Sequence, residues 1–183
     1  MTNEIENLFN ISGNKSRKWK KYFSNYEELF NNYKNKNVTF VEIGVHNGGS
    51  LEVWRNYFSK ESRIIGIDLN PECKKFERKG VEIFIGNQSD PNFWNDFFNK
   101  VGNVDIILDD GGHTNLDQIT TIVSTIDKIN DKGLLLIEDT HTSYSDVYNS
   151  SKKFSLIEFT KKIIDDINLK NSKNFKQFKF SLS

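Results

Sequence analysis

The stretch ILDDGGHT, residues 107–114, places two carboxylates, two glycines and a histidine side by side at the end of an apolar run. Acids and a base gathered where a strand ends are equipment for chemistry, and four further stretches of the same kind accompany them. VEIGVHNGGS, residues 41–50, runs from an apolar segment through glycines into a helical pattern. Glycines there let the backbone approach a ligand closely, and the start of a helix offers unpaired N–H groups to an anion or carboxylate. The spacing of Gly44 and Gly48 is not the G-x-G-x-x-G of dinucleotide enzymes, and a plain tight turn remains an alternative. Asp68 ends the next apolar run, where a carboxylate can accept hydrogen bonds from both hydroxyls of a ribose; a loop acid or helix cap is the other reading. GNQSD, residues 86–90, is placed to face an adenine ring or to cap the helix that Pro91 opens. LLLIEDTHTSY, residues 134–144, carries a Glu-Asp pair followed by His141 and Tyr144.

These loops need a scaffold that presents them together. Five short β-branched or apolar runs, residues 38–43, 63–67, 81–85, 104–108 and 134–137, read as buried strands. Helical patterns at residues 50–58, 91–100 and 116–129 separate them. Strands alternating with helices imply right-handed crossovers and an α/β, doubly wound, mostly parallel Rossmann-like sheet with helices on both faces. Ligands bind outside the carboxyl ends of such strands, so the five loops are expected to share one rim. Ahead of the sheet, apolar residues from Ile5 to Tyr33 recur at spacings of three and four and predict a helix ending near Asn35. Trp54, spaced with Leu51, is expected in the core. Residues 154–167 look helical and residues 175–182 suggest a further strand. The sequence stops at Ser183 with no room for a closing hairpin, so the C-terminal strands are expected to be incomplete.

The 183 residues suit a single domain, with residues 1–36 as a helical cap or lid and 37–183 as the core. Lys plus Arg and Asp plus Glu number 25 each, so no global charge points to a nucleic-acid or membrane partner. The single cysteine, Cys73, excludes an internal disulfide framework and fits a reducing compartment. No apolar run approaches the roughly 18 to 20 residues of a membrane span. A cytoplasmic protein is expected, with a homo-oligomer left open.

In order and spacing, VEIGVHNGGS, RIIGIDLN, GNQSD, VDIILDDGGH and LLLIEDTHTSY resemble class I S-adenosylmethionine-dependent methyltransferases. More narrowly they resemble the metal-dependent O-methyltransferases of macrolide sugars, of the mycinamicin and macrocin type, over residues 38–144. The resemblance implies S-adenosyl-L-methionine and Mg²⁺ as cofactors and a small-molecule or carbohydrate acceptor. It implies cofactor contacts from Glu42, Gly44, Asn47, Gly48, Ser50, Asp68, Gln88, Ser89 and Asp109, metal ligation by Asp110 and Asp139, and a general base in His113. Asp109 reaches the methionine amino group or bonds loop N–H groups. Glu138, His141 and Tyr144 fall on the acceptor side, with His141 a rival base and Glu138 either touching the metal or orienting its neighbour. His46 is expected in the loop near the cofactor. Two departures stand out: the family usually has a serine where Gly112 stands, and where it carries a Thr-Asp-Lys element and a histidine this chain reads Ser12-Gly-Asn-Lys-Ser-Arg-Lys-Trp19, with Lys15 in the matching role. The basic residues of 15–21 either meet the phosphate of a nucleotide-linked sugar or form a solvated helix face.

Such a site would methylate a sugar hydroxyl. A catechol-type small-molecule O-methyltransferase and a noncatalytic nucleotide-binding module of the same fold are the alternatives, separable by an acceptor panel and by cofactor binding without turnover.

Overall fold

The computed structural model describes residues 3–12, 16, 18–148 and 154–169. Its centre is one five-stranded parallel sheet built from β1 (Thr39–Ile43), β2 (Arg63–Asp68), β3 (Val81–Ile85), β4 (Val104–Asp109) and β5 (Ile129–Ile137). The spatial order is β3-β2-β1-β4-β5, so the strand order reverses between β1 and β4. That reversal opens a crevice at the carboxyl ends of the two strands.

The central strands β1, β2 and β4 are buried on both faces, β3 and β5 at the edges only partly, and their side chains alternate between two cores. Phe40, Ile64 and Ile106 point to one face and pack under α1 (Glu4–Ile11), α2 (Lys20–Phe30) and α3 (Gly49–Tyr57). Val41, Ile65 and Ile107 point to the other and meet Trp94 and Phe97 of α4 (Pro91–Val101). A smaller cluster, with Ile119 of α5 (Asn115–Thr125) and Leu156 and Phe159 of α6 (Leu156–Leu169), lies beside β5. A 3-10 turn, Pro71–Phe76, takes the place of a crossover helix between β2 and β3. Trp54 is completely buried, as its spacing with Leu51 requires. Cys73 is a free, buried thiol.

Local chemistry sets the helix starts. Asp90 accepts the N–H of Asn92 ahead of Pro91 at the start of α4. Thr114 and Asp117 form a reciprocal capping box at the start of α5. No helix among the described residues is long and apolar enough to cross a membrane.

Three boundaries differ from the sequence reading. The single N-terminal helix is two: α1 ends at Ile11, α2 runs from Lys20 to Phe30, and the two fold back on each other. Phe9 and Phe23 then pack with tilted rings, centroids 5.3 Å apart, whereas in one continuous helix 14 residues would separate them by about 21 Å. Burial of both aromatic faces favours the break. α5 stops at Thr125 although Ile126 and Ile129 extend its periodicity; Ile126 is largely exposed in a 3-10 turn, and Ile129 already pairs with Val104 in β5. β5 accordingly begins five residues before its predicted start, with a register shift opposite Val104 and Ile106. The strand predicted at residues 175–182 lies outside the described residues, as does Lys15.

Candidate active site

Strand register assembles the site. Ile43 of β1 lies opposite Asp109 of β4, and Asp109 opposite Ile137 of β5. The next residues, Gly44, Asp110 and Glu138, therefore leave the sheet at one level. Gly44 turns with φ of +94°, and a Cβ there would lie 2.1 Å from the carbonyl oxygen of Asp110. Only glycine lets these two turns touch.

A cavity of about 720 Å³ opens above this row, a size suited to a small-molecule ligand. Gly44, His46, Asp68, Gln88, Asp110 and His113 are among its lining residues. Asp68 accepts N–H groups from Val45 at 2.9 Å and His46 at 3.0 Å through Oδ2, and from Asn70 at 2.8 Å through Oδ1. Burial works against its charge, but the N–H groups of Asn70, His46 and Val45 outweigh it and hold the carboxyl below its ordinary range. Asp68 thus ties the glycine loop to β2 while still facing the cavity.

Asp109 is fully buried, and burial pushes its carboxyl upward against the opposing bonds from Gly111 and Gln88. Gln88 spans the floor: Nε2 donates to Asp109, and Oε1 accepts the N–H of Gly112 at 2.8 Å. Of its two possible roles, Asp109 is seen bonding a loop N–H, that of Gly111 at 3.1 Å. Ser89 donates across to Asp117 of α5, and Asn47 accepts the N–H of Gly49 within its own turn. Gly48 has φ of +74° and lies against the ring of Phe76. Glu42 and Ser50 are buried together behind the loop, with Ser50 Oγ donating to Glu42 Oε2 at 2.6 Å.

At the far edge of the cavity Asp110, His113 and Asp139 come together, each offering a ligand atom within 4.8 Å of the others. His113 Nε2 lies 3.8 Å from Asp110 Oδ1 and 3.7 Å from Asp139 Oδ2. His113 and Asp139 both adopt positive φ, at +58° and +51°, which non-glycine residues seldom do and which concentrates at functional sites. Tyr22 of α2 holds Asp139 by donating to Oδ1 at 2.9 Å. His141 Nδ1 is 3.9 Å from that same oxygen, and both His141 and Tyr144, further along the same 3-10 turn, are exposed.

Beneath this trio lies a feature that the sequence reading missed. Lys18 reaches in from the N-terminal segment and places Nζ 2.5 Å from Asp110 Oδ2 and 3.0 Å from both oxygens of Glu138. Desolvation lowers the pKa of Lys18, but the charges of Glu42, Glu138 and Asp110 overcome it, and the ammonium is held. Burial pushes Glu138 up against the charge of Lys18, and the Tyr26 hydroxyl donates to its Oε1. A basic cluster suggested a solvated face, and Tyr22 and Tyr26 read as apolar spacing. The interval of four puts Tyr22 and Tyr26 on one face of α2, but Lys18 precedes that helix, so periodicity did not mark it.

No family model matches the sequence. Individual proteins do. The 8-demethyl-8-alpha-L-rhamnosyl tetracenomycin-C 2'-O-methyltransferase of Streptomyces olivaceus is 31% identical over 157 residues, which is 80% of this chain and 41% of that protein. The mycinamicin VI 2''-O-methyltransferase of Micromonospora griseorubida is 31% identical over 126 residues, 65% of this chain and 31% of that protein. The chain is a relative of these O-methyltransferases. It spans less than half the length of these O-methyltransferases. Its fold matches that of MycE, a methyltransferase from the mycinamycin biosynthetic pathway solved with Mg and SAH, at a TM-score of 0.85 and 22% identity, covering 100% of this chain and 50% of that one. The Rossmann-like methyltransferase fold and the kinship expected from the five motifs are therefore both borne out.

Proposed function

We propose that the chain carries the catalytic core of an S-adenosylmethionine-dependent, Mg²⁺-assisted O-methyltransferase acting on a sugar hydroxyl in a glycan, a nucleotide-linked sugar or a glycosylated metabolite. The observation that carries this reading is the meeting of Asp110, His113 and Asp139 at the edge of a cavity floored by the glycine loop and Asp68.

The donor set fits the metal. Mg²⁺ is a hard cation that takes few protein ligands, usually carboxylates, and Asp110 and Asp139 present two carboxylates on adjacent turns. When bound there, Mg²⁺ supplies a Lewis acid that lowers the pKa of an acceptor hydroxyl. His113, 3.8 Å and 3.7 Å from the two aspartates, would take the proton of the acceptor hydroxyl as general base. Asp68 accepts hydrogen bonds from the cofactor ribose, and Gly44 allows the backbone to lie close to the cofactor. Gln88 and Asp109 keep the 109–112 turn in place beneath it. His141, beside Asp139, and Tyr144, exposed at the end of the same turn, meet the acceptor. The relatives' substrates, a rhamnosyl tetracenomycin and mycinamicin VI, support a sugar as that acceptor.

Titration calorimetry of S-adenosylhomocysteine into the chain, with Mg²⁺ and with a chelator, tests the cofactor half, and methyl transfer to a panel of glycosides and catechols tests the acceptor half. Saturable binding with Mg²⁺-dependent transfer to glycosides is expected. Transfer confined to catechols would replace the sugar reading, and binding with no transfer to any acceptor would leave a nucleotide-binding module.

A further inference from the structure

Around His113 the two aspartates are presented in the same way. Asp110 keeps Oδ2 on Lys18 and turns Oδ1 to His113 Nε2, 3.8 Å away. Asp139 keeps Oδ1 on the Tyr22 hydroxyl and turns Oδ2 to the same nitrogen, 3.7 Å away. The N-terminal segment therefore holds one oxygen of each carboxylate, and the other two oxygens converge. Tyr22 does more than donate. Its oxygen also accepts the backbone N–H of Asp139 at 3.2 Å, so one hydroxyl closes a ring on a single residue. Asp139 needs that support, because its φ of +51° is a conformation that a non-glycine residue keeps only where its surroundings fix it. On the other side the Asp139 carbonyl accepts the N–H of Thr142 at 2.9 Å and the Thr142 hydroxyl at 2.8 Å. One turn further along α2, Tyr26 donates to Glu138, so the acidic pair rests on one face of that helix.

We propose that Tyr22 is a positioning residue of the metal site, which fixes Asp139 so that Oδ2 is directed to a divalent ion in this cluster. The inference rests on the metal-assisted reading of the site and deepens it by assigning the residue that orients one ligand. A carboxylate that meets an ion through one oxygen binds best when it cannot rotate, and a hydrogen bond to the second oxygen prevents rotation. Without the hydroxyl, Asp139 Oδ1 and the Asp139 N–H lose their shared partner, and the left-handed turn can relax away from His113. The ring of Tyr22 is not the active part, since Phe would pack equally well beside Tyr26, 6.1 Å away between centroids. Tyr22 touches no reacting atom. Its effect is expected on ion affinity, where loss of an outer partner costs roughly 10- to 100-fold, and not on the cofactor.

The test is Mn²⁺ binding to the 183-residue chain, with free ion counted by electron paramagnetic resonance, in the wild type, Tyr22→Phe and Tyr33→Phe. Tyr33→Phe is the control, because it removes a tyrosine hydroxyl bonded to the Lys132 carbonyl in the first half of β5. S-adenosylhomocysteine affinity, measured alongside, reports whether each variant keeps its fold. Tyr22→Phe should weaken Mn²⁺ binding about tenfold or more, while Tyr33→Phe leaves it within about twofold. Both should keep S-adenosylhomocysteine affinity within about twofold of wild type. A loss smaller than about fivefold in Tyr22→Phe overturns the proposal and leaves metal-assisted transfer standing, because the ion would then bind without the hydroxyl. An equal loss in Tyr33→Phe, or a parallel loss of S-adenosylhomocysteine binding in Tyr22→Phe, overturns it as well, since the hydroxyl would then serve the fold and not the ion. Absence of Mn²⁺ binding in the wild type would remove both this proposal and the metal of the proposed function.

Discussion

His113 and Gly44 both line the cavity of the proposed reaction centre, and each is constrained by a neighbouring turn. His113 sits in the left-handed region with its ring edge against Tyr148 and its carbonyl bonded by Thr142, so the imidazole is held toward the two aspartates. His113→Ala should lower turnover about hundred-fold or more while leaving S-adenosylhomocysteine affinity within about twofold, as measured by steady-state kinetics and calorimetry. Turnover above a tenth of wild type would end the assignment of His113 as the base. Gly44 has no such chemistry but has less room. Its φ of +94° and the 2.1 Å approach of an added Cβ to the Asp110 carbonyl make Gly44→Ala costly by at least about 2 kcal/mol in urea unfolding. A shift below 0.5 kcal/mol would show that the two turns can separate.

At the level of elements, the site depends on how strands end and helices begin. β1, β4 and β5 are in register, which brings Gly44, Asp110 and Glu138 to one level. Immediately after His113, Thr114 and Asp117 close the capping box of α5, with Thr114 Oγ1 donating to Asp117 at 2.7 Å and accepting its N–H at 3.1 Å. Asp117 also receives the Ser89 hydroxyl, so the cap links the loops after β3 and β4. Thr114→Ala should cost about 1 kcal/mol of stability by urea titration, and Thr114→Ser should restore most of it. Equal losses in both variants would mean that the methyl group, not the hydroxyl, matters at this position.

Across the whole molecule, one side chain is shared by the packing of the N-terminal helices and of the sheet. Trp54 of α3 contacts Phe9 at 5.6 Å, Tyr26 at 5.4 Å, Phe30 at 5.6 Å and Phe40 at 5.3 Å between ring centroids. Those partners come from α1, α2 and β1. Trp54→Ala should therefore destabilise the chain by about 3 to 5 kcal/mol in chemical denaturation. Its effect should also reach the acidic cluster, because Tyr26 packs on Trp54 and donates to Glu138. A Trp54→Phe variant, which keeps most of the apolar volume, should lose less than half as much.

The five apolar runs and the loops that follow them determined the class of the fold, because a strand buried on both faces must be apolar throughout and a crossover must be amphipathic. The nearness of Asp110 and His113 was equally legible, since three residues of one turn cannot move far apart. Asp139 was assigned on resemblance, and its meeting with His113 depends on β4 and β5 being neighbours in register. Periodicity could not show that α1 and α2 are separate, because the same spacing of aromatics serves one long helix or two that fold back. It also could not separate Lys18 from the other lysines of its cluster. A lysine is written identically whether water or carboxylates surround it, and only the tertiary structure brings Glu42, Asp110 and Glu138, scattered across nearly a hundred residues, around one ammonium.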